Sequence, residues 1–285
     1  MTAGERGFLL LTQQLGDPAR KPLTTAQFRE LTFRVRQMER PADGTPALQL
    51  KDLVLLGYDF LTAEHILSLF AQENLLESYL NRGKEQGCCP VTRISNSYPQ
   101  SLRKKLDAEA PGCLWAKGDL SLLTKPLLGL VGSRELYPDN YHFAREVGRQ
   151  AALQGIVLVS GNARGADTEA QESCLHHGGQ VISVVADRLD HCLERKNMLY
   201  LSEGGFDLPF SAPRALSRNR IIHCLPQKVL VAQVTHHKGG TWGGSLQNLK
   251  HHWTPLLCFN DGREGSKALL DLGATSVTLR ELETL

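Results

Sequence analysis

From Pro126 onward, short continuous apolar runs alternate with amphipathic segments of helical length. The runs are PLLGLVGSR, IVLVSG, QVISVVAD, LYLSEG, KVLVAQV, PLLCF and TSVTL. Between them lie PDNYHFAREVGRQAALQG, TEAQESCLHHG, ALSRNRIIHCL, WGGSLQNLKHH and EGSKALLDLG. A strand that is apolar on both faces must be covered on both faces. Helices placed between successive parallel strands do this. The pattern predicts an α/β fold with a doubly wound, mostly parallel sheet.

The rest of the chain reads differently. Residues 1–87 predict a helical N-terminal domain. LTTAQFRELTFRVRQM begins one helix with Thr24 or Thr25 as its cap, and Thr62 is placed to cap AEHILSLF. Gly57 marks a turn between helices. A glycine turn before a helix also occurs in helical hairpins that grip a DNA backbone, but one such turn is weak evidence for that pattern. Residues 88–125 are punctuated by Pro90, Pro99, Pro111, Gly112 and Gly118. They predict a connector packing on the sheet domain of residues 126–285, with short extended pieces at 91–95 and 112–118.

Composition narrows the functional classes. Hydrophobic residues make up 41% and charged residues 22%, an ordinary globular balance. The net charge of +2, from 32 basic and 30 acidic residues, excludes a generally polybasic protein. A local basic groove suffices for nucleic-acid binding, so that class stays open. The seven cysteines show no CxxC spacing and suit reduced thiols in a cytoplasm. No apolar run approaches the ~20 residues of a bilayer span, and the N-terminal residues do not resemble a signal peptide, so no membrane partner is expected.

Ligands of open parallel sheets bind beyond the carboxyl ends of the strands. Four such ends carry unusual residues: Gly132-Ser133-Arg134, then Ser160 through Asp167, then Glu203-Gly204-Gly205, then Thr235 through Gly244 with Lys238-Gly239-Gly240 inside it. Glycines let backbone N–H groups approach an anion, and the helix N-termini behind them favour negative charge. Arg134 and Arg164 add forked donors suited to phosphate oxygens. A phosphate-bearing ligand is expected. The alternative is that the glycines serve only tight strand-to-helix turns. Arg218 and Arg220 cannot share a helix face, so one can reach the rim while the other pairs structurally. Asn219 is placed to cap or bridge loops, and Asp167 to cap a helix. GxGxxG, GxxxxGK[ST], GxSxG and HExxH are absent, which disfavours hydride transfer, P-loop hydrolysis, a nucleophile elbow and a zincin site. No catalytic residue, metal or cofactor is expected.

In order along the chain, Tyr98-Pro99-Gln100-Ser101-Leu102-Arg103, Leu114-Trp115-Ala116-Lys117-Gly118, Leu130-Val131-Gly132-Ser133-Arg134, Val159 through Asp167, Leu201-Ser202-Glu203 and Ser217-Arg218-Asn219-Arg220-Ile221-Ile222 form a specific set. Over roughly residues 90–260 the chain resembles the DprA/Smf family of DNA-processing proteins. The resemblance implies a Rossmann-like fold that binds single-stranded DNA, protects incoming strands in natural transformation, helps load RecA and forms a homodimer. It places phosphate and strand contacts on Gly132, Ser133, Arg134, Ser160, Gly161, Arg164, Gly165, Asp167, Arg218, Asn219 and Arg220, with Lys238, Gly239 and Gly240 in the same pocket. KGGTWGGS departs from the family pattern, and its Trp242 is either a base-stacking or a packing residue. With the chain ending at Leu285, the winged-helix domain of many members is not expected. The competing reading is a Rossmann-like nucleotide sensor or nucleotide-processing enzyme, with Glu203 as its carboxylate; the PGGxGTxxE segment of such enzymes is missing.

Overall fold

The computed structural model describes residues 1–38 and 48–285; residues 39–47 of the N-terminal domain read as helical from the sequence lie outside the described residues. The first elements are α1 (Ala3–Thr12), α2 (Thr25–Arg36), α3 (Leu50–Leu55), α4 (Phe60–Phe70) and α5 (Glu73–Glu85). Thr24 caps α2: its hydroxyl accepts from the Gln27 N–H at 3.3 Å, and the Gln27 side chain accepts from the Thr24 N–H at 2.9 Å. Thr62 is not a cap. Asp59 starts α4 earlier by accepting from both the N–H and the hydroxyl of Thr62, at 2.9 and 2.6 Å. A carboxylate complements the helix dipole better than a hydroxyl. Leu11, Leu31, Leu53, Ile66 and Leu69 bury together between these helices.

The strands are β1 (Cys88–Thr92), β2 (Cys113–Gly118), β3 (Leu127–Val131), β4 (Val157–Ser160), β5 (Gln180–Val185), β6 (Met198–Glu203), β7 (Lys228–Val231), β8 (Leu256–Phe259) and β9 (Thr275–Val277). They form one sheet in the order β1-β2-β6-β5-β4-β3-β7-β8-β9. From β6 to β9 all neighbours are parallel; β1–β2 and β2–β6 are antiparallel, with Trp115 opposite Ser202. Residues 88–125 therefore extend the sheet itself. The extended piece read at 91–95 instead starts at Cys88 and stops at Thr92, whose N–H donates to Ser95 Oγ at 3.0 Å and turns the chain.

The later helices are α6 (Gln100–Leu106), α7 (Pro138–Leu153), α8 (Ala166–His176), α9 (Ala212–Cys224), α10 (Gly239–His251) and α11 (Glu264–Asp271). Side chains alternate across a strand. Leu128 and Leu130 of β3 accordingly join Phe143 and Val147 of α7 and Ala170 of α8. Leu127 and Val131 join Ile221 and Ile222 of α9 and Trp242 of α10 on the opposite face. The fold is thus the doubly wound, Rossmann-like sheet with an N-terminal helical region. The chain winds outward from β3 through β4, β5 and β6, then returns to place β7 on the other side of β3. That reversal leaves a crevice beyond the carboxyl ends of β3 and β7.

Candidate nucleic-acid interface

The crevice holds a hollow of about 860 Å³. The turn after β3 forms one wall, the start of α10 another, and Arg218, Asn219 and His223 of α9 a third. The Ser133 N–H donates to the Gln233 carbonyl at 3.0 Å, and Thr241 Oγ1 donates to the Gly132 carbonyl at 2.9 Å. These bonds lock the β3 and β7 turns against each other. Arg134 and Lys238 are exposed on the lip, with no side-chain ion pair among the described residues. Lys238 is the N-cap of α10, and Gly239 follows at φ 85° with open space where a Cβ would stand. The free N–H groups of that helix start give the hollow a positive end.

Arg218 supplies the buried charge. It is 9% exposed, and its Nη1 donates to the Val184 carbonyl at 2.7 Å. A Cβ on Gly161 would stand 1.7 Å from that nitrogen, so any other residue there displaces the guanidinium from this position. Burial lowers the Arg218 pKa, and neighbouring Asp167 works against that. Burial raises Asp167 to about 6, while Arg218 and the amides of Ala163 and Gly161 pull it back down. Asp167 lies inside the first turn of α8 rather than at its cap. Its Oδ2 accepts from the N–H groups of Gly161 and Ala163, at 3.1 and 3.2 Å, and so shapes the loop after β4. The cap position belongs to Gly165, at φ 89°, where a Cβ would meet the Ser133 and Arg134 carbonyls at 2.5 Å.

A second hollow of about 660 Å³ opens beyond β4 and β5 and shares Arg134, Ala163, Phe210 and Arg218 with the first. Gly161 and Arg164 line only the second. Arg164 also reaches Glu135 at 3.4 Å. Asn219 Nδ2 donates to the Gly240 carbonyl at 3.3 Å and bridges α9 to α10.

Three expected contact residues line neither hollow. Ser160 is fully buried and its Oγ accepts from Gln171 Nε2 at 2.8 Å. Gly165 is packed under the β3 turn. Arg220 pairs with Glu203, because two residues along a helix turn a side chain to nearly the opposite side. Trp242 is a packing residue, 6% exposed and edge-on to His236 at 4.9 Å. Sequence reasoning missed Phe210, Tyr137 and His223. Phe210 and Tyr137 are exposed aromatics on the lip, 54% and 51%, and Arg263 lies 3.9 Å over the Tyr137 ring. The one sequence signal for Phe210 was a large apolar residue inside the Gly/Pro-rich stretch GGFDLPFSAP.

Glycine turns, a helix start and basic side chains gather at the reversal of the parallel sheet of a Rossmann-like protein. The family model for DNA recombination-mediator protein A matches residues 90–282, and the chain belongs to that DprA/Smf family. DNA processing protein DprA of Streptococcus pneumoniae is 34% identical over 159 residues, 51% of this chain and 54% of the relative. Protein Smf of Escherichia coli is 30% identical over 198 residues, 65% of this chain and 52% of the relative. The chain thus spans about half the length of these relatives. The crystal structure of S. pneumoniae DprA superposes with a TM-score of 0.67 at 23% identity, covering 90% of this chain and 95% of that one. Helicobacter pylori DprA, a protein described with its single-stranded DNA binding mode, gives 0.58 at 24% identity, covering 69% and 94%. Among the described residues no helix is long and apolar enough to cross a membrane.

Proposed function

We propose that this chain is a non-enzymatic binder of single-stranded DNA, with little sequence preference, acting in the cytoplasm as a homodimer that protects strands and assists RecA loading. The observation that carries the reading is the pair of lip cations, Arg134 and Lys238, which have no ion pair among the described residues and flank the open N-terminus of α10. The contacts are assigned to Gly132, Ser133, Arg134, Arg218, Asn219, Lys238, Gly239 and Gly240, with Gly161, Arg164 and Asp167 shaping the same rim. Backbone N–H groups and forked cations hold phosphates without reading bases. The single-stranded DNA binding of the H. pylori relative supports the choice of ligand. The nucleotide-enzyme reading is less well supported: Glu203 accepts from Ser217 at 2.9 Å and from Arg220, and lines the hollow nowhere.

Fluorescence anisotropy with single- and double-stranded oligonucleotides across salt tests the proposal. Expected are preference for the single strand and a log–log salt slope near −0.7 per phosphate held. Equal affinity for both forms, or release of free base from nucleoside monophosphates, defeats it.

A further inference from the structure

We infer that Phe210 is the base-stacking platform of this chain and that the second hollow takes the strand beyond it; this rests on the single-strand reading above. Phe210 stands in the loop between β6 and α9, 54% exposed, and lines both hollows. A large apolar ring left in water between two basic hollows gains by being covered. Its mount is fixed. The Phe210 N–H donates to Asp187 Oδ1 at 2.9 Å, and that oxygen also accepts from the Arg188 N–H at 2.8 Å. The next residue, Ser211, caps α9 by accepting from the Arg214 N–H at 3.3 Å. The ring therefore projects from a braced loop, which lowers the ordering cost of stacking.

The charge beyond Phe210 suits a continuing backbone. The second hollow carries Arg134, Arg164, Arg188 and Arg218 against Asp187. Arg188 is held at 2.6 Å by Asp190, and Arg164 only loosely by Glu135 at 3.4 Å. Arg218, nine-tenths buried, keeps an Nε with no partner among the described residues. The two hollows adjoin at Arg134, Ala163, Phe210 and Arg218. A flexible polyanion with free base faces fits the pair: phosphates lie on either side and a base lies on the ring. A duplex does not, because its base faces are already stacked.

The test is anisotropy with a thymidine oligonucleotide and an abasic oligonucleotide of equal length. Phe210→Ala is expected to weaken thymidine binding about tenfold and to leave abasic binding unchanged. Phe210→Trp restores affinity, and its indole emission, measured against the wild type, is quenched on binding. Arg188→Ser weakens long oligonucleotides and spares short ones. Circular dichroism confirms that each variant is folded. If Phe210→Ala binds thymidine as tightly as the wild type while Arg134→Ala binds more weakly, the inference is overturned and the backbone reading stands. If the wild type binds no single strand, both fall.

Discussion

Asp167 and His223 line one hollow, and burial moves their titrations in opposite directions: Asp167 rises from 3.8 to about 6, and His223 falls from 6.5 to about 4. Each displacement corresponds to about 3 kcal/mol between protonation states. Folded Asp167 keeps its proton to higher pH than the unfolded chain does. Its contribution is complete below pH 3.8 and is lost as pH rises through about 6. His223 behaves in reverse: stability is complete above pH 6.5 and is lost as pH falls through about 4. Between those limits the two slopes oppose. Asp167→Asn removes one of them. Relative to the wild type, it gains about 3 kcal/mol as pH goes from about 4 to about 7.5. His223→Gln changes by a similar amount with the opposite sign. Subtracting the wild type cancels the surface carboxylates, and the counter-charge to Arg218, present only when Asp167 is ionised, is already contained in the Asp167 pKa. Urea unfolding followed by far-UV circular dichroism measures the difference. A difference for Asp167→Asn that is flat, or that shrinks as pH rises, refutes the burial argument.

Arg134→Ala is expected to weaken binding to every single-stranded sequence and to flatten the salt slope by about 0.7; a titration that overlays the wild type removes the hollow from the interface. Gly161→Ala pushes a methyl into the Arg218 guanidinium, costing about 1–3 kcal/mol in a urea melt and lowering DNA affinity with it. Arg220→Ala leaves Glu203 without its cation and costs about 1–2 kcal/mol of stability, yet its salt slope should match the wild type. A flattened slope there would return Arg220 to the contact set.

Much of the architecture was legible because burial on two faces leaves a local mark. LLGLV, VLVS and KVLV show no polar alternation, and only a sheet covered on both sides tolerates that. The edge strands β1 and β2 were harder to read: CCPVT carries a proline and an exposed cysteine, and β2 joins the sheet through β6, far along the chain. At the site, Gly161 was legible as a glycine but not for its reason, which is a guanidinium arriving from α9 more than fifty residues later. Helix starts were misjudged wherever a glycine or carboxylate extended the first turn, as at α10 and α4.

By itself the order of residues determined the layered α/β class, the family and the sheet lip on which the glycine and arginine turns gather, because those follow from patterning along contiguous segments. Only the tertiary structure decided which of Arg218 and Arg220 enters the hollow. Ile221 and Ile222 fix the rotation of α9 against the sheet, so Arg218 turns inward and Arg220 turns to Glu203. The same packing buries Trp242 and leaves Phe210 in water. An aromatic residue's role at a rim is set by what covers it, and its covering comes from distant parts of the chain.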